Sequence, residues 1–335
     1  MMKQTVSFSK DESNVFFHIL TRCNLRCRHC YINPTQHGTK MLSVEKIGIW
    51  LREISKKTKK ANLIFLGGEP TLHPKLSLAV QKARSLGYQS ITIDTNGYLF
   101  NNILDAVTPD LVDYFSFSLD GAGPETNDPL RGKGSFHACL SGIRNAIQKG
   151  YHTSLIFTVS RDNIHELKRM PPLLASLGIH RFFIQVIGLR GKAAAKERKV
   201  EQVGINPWMK IIPTIAERIA KQGIPVIYPK VYLHPDEPFE CAGVVSDNYF
   251  IFPNGRVYRC PLCEDYPLHG FEFKNNRLVK TKGITETHLF QLNIPEGCVM
   301  NRLIQPGNIR YRRDGTPRYK IACCLLKNKV TPHKA

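Results

Sequence analysis

The chain alternates between two hydrophobic periods. Short apolar runs rich in β-branched and aromatic residues predict six strands: VFFHIL (15–20), NLIFL (62–66), SITID (90–94), VDYFSFSL (112–119), TSLIFTVS (153–160) and RFFIQVI (181–187). Between these runs apolar positions recur three and four apart. Val44, Ile47, Trp50, Leu51 and Ile54, behind a capping Ser43, predict one such amphipathic helix. Gly87, Gly150, Gly178 and Gly223 stand where the later helices need a left-handed stop. Strand and helix in strict order predict βαβ units around a parallel sheet. No internal repeat or low-complexity segment interrupts the order.

After about residue 235 this rhythm gives way to short runs of Gly, Pro, Asn and Cys. The Pro-rich stretch YLHPDEPFE (232–240) marks the expected boundary between a large domain over residues 1–235 and a small, loop-rich, cysteine-rich domain over 236–335. A region with so little apolar sequence stabilises itself poorly by burial alone, and a metal site is a usual remedy.

Composition narrows the class. With 335 residues, 42% hydrophobic and 22% charged, the chain holds a full-sized core. No run approaches the roughly 20 apolar residues of a membrane-spanning helix, so no membrane association is expected. The start, MMKQTVSFSKDESNVFFHIL, lacks the uninterrupted apolar block of a secretory signal, and a cytoplasmic location is expected. The first strand begins near residue 15, which leaves no N-terminal peptide-binding domain to expect. In a reducing compartment ten cysteines read as metal or redox ligands rather than a disulfide framework. Cys23, Cys27 and Cys30 lie near the start; Cys241, Cys260, Cys263, Cys298, Cys323 and Cys324 lie in the last third. Cys139, alone in the helical pattern HACLSGIRNAI, reads as a small buried hydrophobe.

In parallel βα architectures the active site forms from the loops after the C-terminal ends of the strands. Here those loops are the cysteine triplet, then GGEP (67–70), TNG (95–97), SLDG (118–121), SRDN (160–163) and IGLRG (187–191). Each is ambiguous by itself. Cys-x3-Cys-x2-Cys suits zinc as well as an iron–sulfur cluster, and GGEP, TNG and SLDG are common turn chemistry. Their value lies in falling on successive loops of one mouth.

Cys23-x3-Cys27-x2-Cys30 with Tyr31 behind it, and Gly67-Gly68-Glu69-Pro70 after the next strand, resemble the radical S-adenosylmethionine (radical SAM) enzymes across nearly the whole chain. The resemblance implies a partial (β/α)6 barrel in which three cysteines hold a [4Fe-4S] cluster and leave its fourth iron open to S-adenosylmethionine. The open position accords with three ligands rather than four. The chemistry implied is reductive cleavage of S-adenosylmethionine to a 5′-deoxyadenosyl radical, which abstracts hydrogen from a substrate. By the same resemblance Gly67, Gly68, Glu69 and Pro70 meet the amino end of S-adenosylmethionine and Tyr31 lies near its adenine. Asn96, Ser118, Asn163 and the backbone at Ile187 lie further along it. No catalytic base stands out; Asp120, Asp247 and Tyr249 are candidates by position alone.

Cys241, thirteen residues, Gly255, four residues, Cys260, with FPNGRVYRC as a hairpin, resemble the opening of the SPASM and twitch extensions of this family. The dense cysteine run of the full SPASM form is missing, so one auxiliary [4Fe-4S] cluster is expected. Cys241 and Cys260 are its first ligands, Cys298 and one of Cys323 and Cys324 its closers, and Cys263 a substitute. A zinc ribbon from the same residues is the alternative.

Lys and Arg number 47 against 27 Asp and Glu, a formal charge of +20, which favours an anionic partner. Beyond Asn301 the excess comprises Arg302, Arg310, Arg312, Arg313, Arg318, Lys320, Lys327, Lys329 and Lys334 against Asp314. It could face an acidic flavodoxin or ferredoxin delivering electrons, an acidic peptide or an anionic small molecule. Nucleic acid ranks lower, because no RNA-binding motif accompanies the charge. The leading expectation is oxidative modification or maturation of a peptide or protein. The alternative is the same chemistry on a small molecule, such as a tetrapyrrole or other cofactor precursor, a sugar or an antibiotic intermediate. A zinc-stabilised nucleic-acid-binding protein is the remote alternative.

Overall fold

A computed structural model describes residues 5–6, 8, 12–58, 60–194, 201–304 and 306–332. Seven strands run parallel in chain order: β1 (Ser13–His18), β2 (Ala61–Leu66), β3 (Ser90–Thr95), β4 (Tyr114–Ser118), β5 (Thr153–Val159), β6 (Arg181–Val186) and β7 (Val226–Pro229). Each pairs with the next, from Ser13 opposite Ala61 through to Phe182 opposite Val226. The six expected strands are all present. The seventh, VIYP, was not expected; four residues ending in proline carry too little pattern.

The period of two gives each strand a core face and a barrel face. Val15, Phe17, Leu63, Phe65, Ile91, Ile93, Phe115 and Phe117 belong to one continuous core. The helix Val44–Ser55 packs into it through Ile47, Trp50, Leu51 and Ile54, and the Ser43 side chain caps it by accepting from the Lys46 N–H. The helix Ser135–Gln148 contributes Leu140, Ile143 and Cys139, which is fully buried. Gly87, Gly150, Gly178 and Gly223 all take a positive φ between 68° and 88°. The intervening strand residues, such as Asp94 and Ser116, face the inside of the curved sheet.

The region beyond residue 235 adds strands to both edges of that sheet. β8 (Tyr232–Leu233) and β13 (Lys320–Ile321) form a separate two-stranded sheet. β9 (Asp247–Ile251) runs parallel to β1 with Ser13 opposite Asp247. β10 (Arg256–Tyr258), β11 (Phe271–Lys274) and β12 (Arg277–Lys280) continue from it as antiparallel ribbons. β14 (Lys327–Val330) closes the far edge on β7. The sheet therefore has twelve strands, in the order β12-β11-β10-β9-β1-β2-β3-β4-β5-β6-β7-β14. FPNGRVYRC forms the β9–β10 turn, where Gly255 has φ 95°. Among the described residues no helix is long and apolar enough to cross a membrane.

Candidate active site

Cys23, Cys27 and Cys30 lie on one loop after β1, all partly exposed. The loop is fixed from two sides. From β2, the Gly68 N–H donates to the Leu20 carbonyl at 3.1 Å and the Glu69 N–H to the Arg22 carbonyl at 3.0 Å. A Cβ on Gly67 would stand 2.5 Å from the Leu20 oxygen, and one on Gly68 would stand 2.2 Å from the Arg22 oxygen. The two glycines thus permit a close approach to the backbone of the cysteine loop itself. From the other side, the Arg28 N–H donates to the Leu130 carbonyl at 2.8 Å and the Cys27 thiol to the Arg131 carbonyl at 3.7 Å.

Two N–H groups point at the Cys23 sulfur, from Leu25 at 3.4 Å and from the Asn96 side chain at 3.7 Å. Donors aimed at sulfur favour the thiolate that a metal needs. Burial pushes the free Cys23 thiol up to about 11, so loading the site must displace its proton. Three thiols on one partly open loop carry the soft donors of an iron–sulfur site, although among the described residues no group of three His, Cys, Asp or Glu side chains is arranged to hold a metal ion.

Glu69 is fully buried, and its carboxylate accepts from Thr71 N–H (3.1 Å), Thr71 Oγ1 (2.6 Å), Thr95 Oγ1 (2.9 Å) and Asn96 N–H (2.7 Å). Burial raises its pKa, while these four donors pull it down. The carboxylate ties the β2 loop to the β3 loop, and Pro70 starts the short helical turn that Glu69 caps. Asn96 joins the same seam by donating to the Asn24 side chain at 2.7 Å. Ser118 ends β4 half-buried at the mouth. Asn163 is fully buried; its oxygen accepts from the Ser160 N–H at 2.8 Å, and its amide donates to the carbonyls of Asp120 and Thr158. Ile187 is buried, with its N–H given to the Val159 carbonyl and its own carbonyl taken by Gln202.

Each of the three candidates for a base is paired or packed. Asp120 is sealed between the Arg131 guanidinium at 2.6 Å and the His29 ring at 3.1 Å, and accepts from the Thr158 N–H. Burial alone would raise its pKa, yet the opposing pull of Arg131 and His29 brings it down to about 2, so it stays ionised and accepts no proton near neutral pH. Asp247 starts β9 at the end of the sheet away from the mouth and pairs with Arg259 at 2.8 Å. Tyr249 belongs to the core, against Phe271.

Behind the triplet lies a network the sequence did not suggest. The Tyr31 hydroxyl donates to His18 Nε2 at 2.7 Å, because His18 Nδ1 must donate to the Ile251 carbonyl at 3.1 Å. The rings of His18 and His37 stack on opposite sides of Phe252, at 4.1 and 3.9 Å between centroids. Burial lowers both histidines, His37 to about 4, so both rings are neutral. Arg190 lies over the Tyr31 ring at 4.6 Å and pairs with Glu264. Asp94, inside the barrel, is a second omission. Burial pushes its carboxyl up to about 7; the Ser116 hydroxyl opposes this and the Glu69 charge adds to it.

The six C-terminal cysteines converge. Cys241, Cys260, Cys298, Cys323 and Cys324 line one cleft, floored by Leu262 and Met300. Cys263 lies beside Cys260 and Cys241 beside Cys323, and all of them are free thiols. Cys323 and Cys324, although adjacent, both line this cleft. A cleft with five cysteines and a sixth at its wall has the soft donors of an iron–sulfur or zinc site.

The family described as the Radical SAM superfamily matches residues 17–170. Residues 17–170 are thus similar to a radical SAM domain. Among its relatives, the chain is 30% identical over 252 residues to Fe-coproporphyrin III synthase of Methanosarcina barkeri, covering 72% of this chain and 61% of the relative. It is 30% identical over 181 residues to pre-heme d1 synthase of Dinoroseobacter shibae, covering 53% of this chain and 44% of the relative. The chain thus spans 44% to 61% of these relatives' length. The crystal structure of Streptococcus suis SuiB shares the fold, with a TM-score of 0.62 at 12% identity over 90% of this chain and 67% of SuiB.

Proposed function

We propose that the protein is a radical SAM enzyme that abstracts hydrogen from an anionic small molecule of the tetrapyrrole or cofactor-precursor class. The observation that carries the radical chemistry is the three-thiol loop seated on Gly67 and Gly68. When bound, the cluster and S-adenosylmethionine supply reductive carbon–sulfur cleavage and the 5′-deoxyadenosyl radical. Cys23, Cys27 and Cys30 hold the cluster, with the Leu25 and Asn96 donors directed at Cys23. Gly67, Gly68, Asn96, Ser118 and Tyr31 surround the place for S-adenosylmethionine, and Glu69, Pro70, Asn163 and Ile187 hold the loops that shape it. The C-terminal cysteines hold one auxiliary cluster, in a domain that begins near residue 236 and is of the twitch rather than the full SPASM kind.

Two relatives whose names concern haem-type tetrapyrroles support the substrate class, and a charge of +20 suits their carboxylates. Peptide maturation is the second reading, favoured by the Cys241-x13-Gly255-x4-Cys260 spacing. An acidic electron donor of flavodoxin or ferredoxin type fits the exposed Arg310, Arg312, Arg313 and Arg318 around the Tyr311–Pro317 bridge; Lys334 lies outside the described residues. The reading places the protein in the cytoplasm, where free thiols persist.

The test is 5′-deoxyadenosine release by the anaerobically reconstituted enzyme with S-adenosylmethionine and dithionite. Iron tetrapyrroles bearing carboxylate side chains should raise release at least tenfold over the enzyme alone and change mass themselves. No rise with any tetrapyrrole, and a rise with a cysteine- or aromatic-containing peptide, would move the assignment to peptide maturation.

A further inference from the structure

The C-terminal cleft and the N-terminal cysteine loop are joined by one short segment. Cys260 and Cys263 bracket the turn Pro261–Cys263, closed by the Cys263 N–H on the Cys260 carbonyl at 3.1 Å. The next two residues face the opposite way. Glu264 is buried and pairs with Arg190, whose guanidinium also donates to the Pro261 carbonyl. The Glu264 carbonyl accepts from His37 Nε2 at 3.2 Å. Asp265 accepts the Gly191 N–H on one oxygen at 2.7 Å and the Asn33 side-chain amide on the other at 3.0 Å.

Both loops held this way belong to the first cysteine site. Asn33 and His37 lie two and six residues after Tyr31 and are joined by an Asn33 N–H to His37 Nδ1 bond at 3.0 Å. The Lys192 N–H, one residue past Gly191, donates to the Cys30 carbonyl at 2.8 Å. Gly191 has φ 56°, and a Cβ there would stand 2.5 Å from the Tyr31 oxygen, so the two loops touch at the backbone. A short path runs from Cys263 along the chain to Asp265, across a hydrogen bond to Gly191, along the chain to Lys192 and across a second hydrogen bond to Cys30. Coupling between sites is carried by chains of hydrogen bonds and rigid elements of this kind where they have two arrangements.

We propose that Glu264 and Asp265 are positioning residues that couple the two cysteine sites, so that ligation at Cys260 and Cys263 raises the affinity of the first site for S-adenosylmethionine. The coupling rests on the reading that both sites hold iron–sulfur clusters. Ligation fixes the Cys260–Cys263 turn, and the fixed turn holds the two carboxylates against Asn33, Arg190 and Gly191. Coupling of this kind is reciprocal: S-adenosylmethionine must slow chelator extraction of iron from the C-terminal centre.

The experiment uses the full chain, reconstituted without oxygen, as wild type, Asp265→Asn, Cys263→Ser and the double variant. Iron and sulfide per chain are counted first. Affinity for S-adenosylmethionine is then read from the change it produces in the electron paramagnetic resonance spectrum of the reduced N-terminal cluster. Asp265→Asn should keep the C-terminal iron and lose about tenfold in affinity, a coupling of ordinary size. Cys263→Ser should lose about tenfold in the wild-type background and less than twofold in the Asp265→Asn background. Factors that simply multiply, or an unchanged affinity in Asp265→Asn, overturn the coupling, the second of these even where Cys263→Ser does not fold. A wild-type chain holding about four irons rather than about eight removes the reading of the C-terminal centre instead.

Discussion

Asp94 ends a run, SITID, in which Ile91 and Ile93 face the helices and the residues between them face the barrel. Alternation identifies it as the inward member, but the pattern cannot say that its neighbours would be a serine hydroxyl and the Glu69 carboxylate. Its carboxyl is pushed up to about 7, against an unfolded value near 4. Between those values the folded chain holds a proton that the unfolded chain has lost. Its contribution therefore falls as pH rises through that window and levels off above about 7. Asp94→Asn removes this titration. Thermal melts of the metal-free chain should show a gain for the variant at pH 8 that is larger than at pH 5. An equal difference at both pH values would mean that Asp94 carries a normal carboxylate and faces water.

At the scale of elements, the decisive contact is between the loops after β1 and β2. Gly67 and Gly68 have no room for a Cβ against Leu20 and Arg22, and Glu69 locks the β2 loop to β3. Gly68→Ala would force the cysteine loop outward, at a cost of roughly 1–3 kcal/mol for overpacking. The metal-free variant should melt lower and, after reconstitution, hold less than half the wild-type iron at the first site, counted in a background lacking the C-terminal cysteines. Full loading would show that the loop yields without disturbing its thiols. The six long strands and their helices were legible because a core face repeats every two or 3.6 residues whatever lies beyond it. The cysteine loop and GGEP were legible because dense thiols and paired glycines are rare in sequence. The partners of Tyr31 and Arg190 were not, since Glu264 sits 74 residues beyond Arg190 and no periodicity reports a pairing at that range. An acidic pair directly after Cys263, in a chain so basic, was the one available signal for it.

The whole molecule is tied together through the edges of its sheet. β9 lies along β1 over five residue pairs, Phe16 stacks on Phe250 at 4.3 Å, and β14 covers β7 at the opposite edge. A composition shift near residue 235 marks where helical periodicity stops, and it carries no information about which edges the later strands cover. A chain cut to residues 1–235 would leave both β1 and β7 with unpaired backbone groups and Phe16 without its stacking partner. Exposed edges of this length are templates for association with other chains. The expected outcome is that residues 1–235, expressed alone, form aggregates or higher oligomers on size exclusion and melt well below the full chain. Adding back residues 236–335 in trans should restore little, because strands at two separated edges must be placed together. A monomeric fragment with a melting temperature within about 5 °C of the full chain would establish the barrel as an independent domain and reduce the C-terminal strands to a covering.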